Sequence, residues 1–290
     1  MILEKVELII AKVPTRISLI GGGLDYENWF KDHSGAVIST AINKFVWITF
    51  NNGKVTSNYD VPVKSGLGTS SAHTVGLMKI LAELNSKETC DPKTIAQFAT
   101  IIEMDKLAGN IGYQDQLMCS LGGFRLLRFS ETGIRDFEFK DIDWLNPYLM
   151  LFHTHQYRKR AGDVVESQLD EMKSHTELYF RLMDLVEQGK TALENKNWET
   201  FGHLIDESWQ IKRQLSKKIT TEAIDDIHNR SKKSGAIAFK ILGSGGGGAG
   251  LCVASPDKQE TIKKELSECE FIPFSFCKSG SEIVFRDDRS

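Results

Sequence analysis

Apolar residues fall in two rhythms along this chain. Residues 6–13 and 45–50 are short runs rich in β-branched and aromatic side chains, which predicts strands. Asn51-Asn52-Gly53 reads as a hairpin turn into Lys54. From Val75 to Leu84 the spacing becomes that of a helix, with Val75, Met78, Leu81 and Ala82 on one face and Leu77, Ile80 and Leu84 widening the stripe. Asp91-Pro92 opens a second helix, whose apolar face is read as Ile95, Phe98, Ala99, Ile101 and Ile102. Gly109 to Gly112 breaks it, and Gly122-Gly123 precedes strand-like segments as far as Phe139.

After Pro147 the pattern becomes mainly helical. Residues 148–152 predict a buried strand and residues 162–188 one long helix. Asn195-Lys196-Asn197 breaks that helix; a second runs to about Leu215 and a third covers 222–233. Strand-like residues 236–242 and 251–254 flank a glycine-rich loop, and 271–276 and 282–285 read as short closing strands. This order predicts an α+β protein of two packed halves, 1–147 and 148–290.

Composition narrows the partners. The 290 residues carry a net charge of -3, which gives no reason to expect nucleic acid or an anionic membrane as the main partner. No apolar run approaches the ~20 residues a bilayer span requires. Glu4, Lys5 and Glu7 interrupt the first apolar stretch, which does not read as a signal peptide. Cys90, Cys119, Cys252, Cys269 and Cys277 are odd in number and lack a Cys-x-x-Cys pair, as expected of reduced thiols in a cytoplasmic protein without a disulfide frame or zinc site. Oligomeric state is not legible.

Three glycine clusters carry the candidate chemistry. Lys64-Ser65-Gly66-Leu67-Gly68-Thr69-Ser70-Ser71 places glycines and hydroxyls at the start of a helix. Such a segment is either a capped helix after a tight turn or an anion site, where free N–H groups and the dipole meet phosphate. It is not a Walker loop, since no Gly-Lys-Ser/Thr follows the spacer. Gly243-Ser244-Gly245-Gly246-Gly247-Gly248 precedes a strand rather than a helix, so it is no dinucleotide turn, and so many glycines suggest close approach of backbone to a ligand. The third cluster, Gly21-Gly22-Gly23, has Arg16 before it and Asp25 after it. Glu103 and Asp115 flank the break at Gly109–Gly112, and Thr154 to Arg160 is the densest basic cluster.

Together these segments resemble the GHMP kinase superfamily, which groups galactokinase, homoserine kinase, mevalonate kinase and phosphomevalonate kinase. Its three ordered motifs resemble Pro14–Asp25, Pro62–Ala72 and Lys240–Gly248. Within it the likeness is strongest to the D-glycero-D-manno-heptose 7-phosphate kinases, through Arg16-Ile17-Ser18, Gly21-Gly22-Gly23-x-Asp25, Gly35 to Lys44, Gln114-Asp115-Gln116, Trp209 to Ser216 and the four glycines Gly245–Gly248. The resemblance implies a GHMP kinase fold, with an N-terminal half like ribosomal S5 domain 2 and a ferredoxin-like βαββαβ C-terminal half.

It also implies an enzyme using ATP and Mg2+ on a small-molecule sugar phosphate. Asp115 would be the catalytic aspartate with Arg16 beside it. Gly66, Leu67, Gly68, Thr69, Ser70 and Ser71 would hold the ATP phosphates; Lys64 stands where the family commonly has a small residue, and either meets phosphate or is solvated. Ser70 and Glu103 would be the magnesium ligands. Gly22, Gly23, Asp25, Gly245 and Gly246 would contact the sugar, and Arg158 or Arg160 its distal phosphate, with Lys212 and Arg213 as further cations. Another sugar 1-kinase and a non-catalytic nucleotide- or sugar-binding homologue are the alternatives. One departure stands out: relatives carry some forty more residues before the phosphate loop, where this chain has only 51–61.

Overall fold

The computed structural model describes residues 8–85, 90–106, 111–156 and 161–287. The N-terminal half is built on two long strands, β1 (Leu8–Ile20) and β2 (Gly35–Asn51), joined through α1 (Glu27–His33). Then come β3 (Lys54–Tyr59), α2 (Thr69–Asn85), α3 (Pro92–Lys106), α4 (Gln114–Leu121), β4 (Phe124–Ser130) and β5 (Gly133–Glu138). β2 is long enough to pair with two strands in succession: residues 35–40 pair with β4 and residues 46–51 with β3. Between these stretches the register against β1 slips, Pro14 opposing Phe45 while Thr15 opposes Ile42, and Thr15 Oγ1 donates to Lys44 O. The predicted strand at 45–50 is therefore only the end of β2. Residues 35–42 are buried without interruption, so the first part of β2 shows no alternation.

α2, α3 and α4 lie close together, and a core of Ile9, Val13, Val46 and Ile48 meets Ala72, Val75, Ile80, Ile95, Ala99 and Cys119. The apolar face expected for the second helix is corrected here. Phe98 and Ile101 are 53% and 61% exposed, and α3 buries Ile95, Ala96, Ala99, Thr100 and Glu103 instead. The helix carries more apolar residues than one stripe can bury, and packing selects the i, i+4, i+8 row Ile95–Ala99–Glu103. Asp91 Oδ2 caps it by accepting from Thr94 N.

The second half contains β6 (Leu149–His153), α5 (Ala161–Asp170), α6 (Thr176–Glu194), α7 (Trp198–Lys212), α8 (Glu222–Lys233), β7 (Ala238–Ile241), β8 (Ala249–Val253), α9 (Pro256–Glu265) and β9 (Glu270–Phe271). Its sheet order, β7-β8-β6-β9 with antiparallel neighbours, is the fourth–first–third–second order of a βαββαβ unit read in reverse. The long helix expected over 162–188 is interrupted by a 3-10 turn at Met172–His175. There Ser174 Oγ and Thr176 Oγ1 donate to the carbonyls of Glu171 and Lys173, and such local bonds compete with a continuous helix. Asn197 and Thr221 cap α7 and α8.

Of the two closing strands, the one expected over 271–276 is cut short: only Glu270–Phe271 of that stretch is strand, and Ser275 and Cys277 bond to Asn43 and Ala41 beside the slip in β2. The one expected over 282–285 is present as β10 (Glu282–Asp287), which pairs with β1. One continuous core runs through both halves, from Ile17 and Leu19 to Leu182, Leu185 and Trp209. Among the described residues no helix is long and apolar enough to cross a membrane.

Candidate active site

The site forms where β1, α4 and the segment before α2 converge. Arg16, on β1, is buried, and its guanidinium grips Asp115 in the first turn of α4: Nε donates to Oδ1 at 2.7 Å and Nη2 to Oδ2 at 2.6 Å. Nη1 donates to Gly66 O at 2.6 Å, and Arg16 N donates to Leu67 O at 2.9 Å. Burial works against the guanidinium charge, Asp115 outweighs it, and the pKa stands above the ordinary arginine value. The Asp115 side chain keeps 24% of its surface exposed while that of Arg16 keeps 4%, so the pair presents its carboxylate to the outside.

Gly66 and Gly68 have φ of +84° and +75°, values that suit glycine, and a Cβ on Gly68 would lie 3.2 Å from Arg16 Cγ and 3.5 Å from Asp115 Oδ2. The loop at the head of α2 thus lies directly on the ion pair. Successive residues of a helix point about 100° apart. Ser70 accordingly is exposed while Ser71 is buried. The hydroxyl that meets Glu103 is that of Ser71, donating to Oε2 at 2.9 Å, with Gln116 Nε2 donating to the same oxygen at 2.5 Å. Glu103 Oε1 is buried with no hydrogen-bond partner among the described residues. Burial raises the pKa of this carboxyl, opposed by its hydrogen bonds. One carboxylate oxygen left open below a run of hydroxyls fits a hard cation that keeps most of its waters.

The other glycines have a different setting from the one expected. A Cβ on Gly66 would lie 2.4 Å from Leu242 O, on Gly243 2.7 Å from Gly66 Cα, and on Gly248 2.4 Å from Ser65 O. Ala249 N donates to Ser65 O at 2.7 Å. The Gly243–Gly248 cluster is pressed backbone to backbone against the segment before α2. Gly245 and Gly246 lie on Ile219, whose carbonyl accepts from Gly246 N at 2.8 Å. The close approach inferred from sequence is real, and the partner shown is protein.

Asp25 is buried, and its carboxylate accepts from Gly23 N and Gln114 N, each at 3.2 Å. Burial raises its pKa, and the Asp115 charge raises it further. A Cβ on Gly112 would lie 2.0 Å from Asp25 Oδ2, so the carboxylate rests on the backbone leading into α4 and sets where Asp115 begins. Gly22 and Gly23 border the same region, Gly23 against the Gln168 amide that donates to Tyr179 Oη. Lys64 is exposed, with a φ of +62°. Arg213 pairs with Asp225 at 2.7 Å. Arg158 and Arg160 lie outside the described residues; Gln156, the last described residue before them, accepts from Gly248 N at 2.9 Å.

Sequence reasoning assigned no role to Gln116 or Ser18, and none to Lys240 beyond the third motif. Lys240 is buried, and its Nζ donates to Ser18 O and Leu19 O at 2.8 and 2.7 Å, fastening β7 to β1. A lysine inside the apolar run 236–242 was the available signal.

Residues 36–123 match the family model for the GHMP kinases N terminal domain, and residues 190–270 that for GHMP kinases C terminal. The chain is 25% identical over 335 residues to D-glycero-alpha-D-manno-heptose 7-phosphate kinase of Campylobacter jejuni subsp. jejuni serotype O:2, covering 94% of this chain and 97% of that one. It superposes on a D-glycero-D-manno-heptose 1-phosphate kinase from Bacteroides thetaiotaomicron with a TM-score of 0.76 at 20% identity, over 96% and 99% of the two chains. Lactococcus lactis galactokinase complexed with galactose gives 0.71 at 15% identity, over 97% and 96%.

Proposed function

The chain belongs to the GHMP kinase family, and on that premise we propose that it transfers the γ-phosphoryl group of ATP to the anomeric hydroxyl of D-glycero-D-manno-heptose 7-phosphate. The observation that carries the kinase chemistry is the Arg16–Asp115 pair lying directly under Gly68 of the phosphate loop. Both Asp115 oxygens accept from Arg16 and each retains acceptor capacity. Asp115 takes the proton of the acceptor hydroxyl as its oxygen bonds to the γ-phosphorus and the bond to the β-phosphate oxygen breaks. Arg16 balances the negative charge gathered there. The amides of residues 66–71, at the N-terminus of α2, hold the phosphates.

Magnesium would be held by Glu103, through the oxygen its hydrogen bonds leave open, and by Ser70 at the exposed start of α2; when bound, it neutralises phosphate charge. Gly22, Gly23, Gly245 and Gly246 shape the sugar side, and Asp25 holds the start of α4. Arg158 or Arg160 would grip the distal phosphate, since guanidinium binds phosphate bidentately.

The acceptor is supported by the curated relative that matches over nearly both full lengths. The names of the two heptose kinases place the sugar's phosphate differently, so the test must separate positions. ATP-Mg turnover is measured with heptose 7-phosphate, heptose 1-phosphate, free heptose and galactose. Turnover confined to heptose 7-phosphate is expected. Preference for a free sugar would overturn the acceptor assignment, and ATP binding without turnover would overturn the enzyme reading.

A further inference from the structure

The end of α7 places a lysine between two glycine clusters. Lys212 is 8% exposed, and its Nζ donates to Gly243 O at 2.6 Å. On its other side is Gly22. A Cβ there would lie 3.6 Å from Lys212 Nζ and 3.2 Å from Ser18 Oγ, with no other non-adjacent atom among the described residues within 4 Å. Ser18 is buried, and its hydroxyl has no hydrogen-bond partner among the described residues. It follows Arg16 by two positions on β1 and so shares its face of the strand.

An ammonium and an unsatisfied hydroxyl therefore converge on one small space, kept open because residue 22 has no side chain. Lys240 is also close by: burial, then the nearby Lys212 and Arg16, hold its pKa well below the ordinary lysine value. The carboxylates acting on Arg16 are Asp115 and Asp25. Such a niche suits an electron-rich oxygen: the ammonium donates to it, and the hydroxyl can donate or accept.

We infer that Lys212 and Ser18 form a subsite at Gly22 for an oxygen of the acceptor sugar, beside the hydroxyl that Asp115 deprotonates; this rests on the kinase reading above. Lys212 is then a substrate-contacting residue and Ser18 its partner. The subsite lies in the Gly21–Gly23 cluster, whereas the loop carrying the ATP phosphates covers Arg16 at Gly68, so its effect belongs to acceptor binding.

Gly22→Ala tests this, because Gly22 has no positive φ and the atoms its new methyl would press on, at 3.2 and 3.6 Å, are Ser18 Oγ and Lys212 Nζ of the subsite itself. The methyl fills the niche, and the acceptor KM should rise about 10- to 100-fold, the loss of one charged hydrogen bond, with the ATP KM unchanged. Lys212→Met should do the same, Lys212→Arg should recover part of the loss, and Ser18→Ala should have a smaller effect. If Lys212 only ties α7 to Gly243, Lys212→Met will lower the melting temperature while Gly22→Ala is kinetically silent, which overturns the subsite. A fall in kcat with the acceptor KM unchanged in both variants also overturns it. If the wild-type protein turns over no sugar, the kinase reading fails by itself, and calorimetric titration with heptose 7-phosphate decides the niche. Binding weakened by Gly22→Ala sustains it; binding that is absent or unaffected overturns it.

Discussion

Asp115 is held by two hydrogen bonds from a guanidinium that has almost no access to water. Asp115→Asn should lower kcat by about 10²- to 10⁴-fold, the usual worth of a positioned base. It should also lower stability by about 3 kcal/mol, because Arg16 keeps a buried charge without its opposite. Steady-state kinetics and urea denaturation on the same preparation check both, and an unchanged kcat would remove Asp115 from its role. Arg16 and Asp115 were legible as candidates in the sequence; their bidentate pairing across 99 positions was not. Glu103 was legible from its helix row as well. It occupies the buried row of α3 with Ile95 and Ala99, where a carboxylate needs a partner or a cation.

At the scale of elements, the glycine loops 66–68 and 243–248 interlock backbone to backbone. Gly66→Ala would drive a methyl into Leu242 O at 2.4 Å, on a backbone with positive φ. Gly53 also has positive φ, +78°, but its side-chain space is open. Gly53→Ala should therefore cost only the conformational strain, about 1 kcal/mol. Gly66→Ala should cost substantially more and also raise the ATP KM, because the phosphate loop must shift. Chemical denaturation and ATP titration of the two variants check this; equal destabilisation would show that backbone conformation, not loop contact, is what these glycines serve. The helices α7 and α8 were read close to their true limits because Asn197 and Thr221 stop the chain locally. The first part of β2 was missed because burial on both faces erases alternation, and the break at Met172–His175 because its polar residues suit an exposed helix as well as a turn.

For the whole molecule, Lys240 is the fastening between the two sheets and also a pH-sensitive one. Burial holds its pKa well below 10.5 in the folded state, so the unfolded chain binds that proton more tightly. Stability should then rise with pH from the depressed value up to 10.5 and be lowest below that window, where the buried charge is retained. Urea midpoints of wild type and Lys240→Met, taken from about pH 7 to about pH 10, should diverge in slope; parallel curves would contradict the buried charge. The variant also loses the bonds to Ser18 O and Leu19 O, so it should be the less stable at neutral pH. From the sequence alone came the α+β class, the order of most elements, the three glycine clusters and the candidates Arg16 and Asp115, because helix caps, periodicity and glycine placement act over a few residues. Only the tertiary structure decided that Ser71 rather than Ser70 bonds to Glu103, that the glycines of 243–248 close on another loop, that the last strand returns to β1, and that Ser18, Gly22 and Lys212 lie together. Those outcomes depend on contacts between distant segments, which no local pattern specifies.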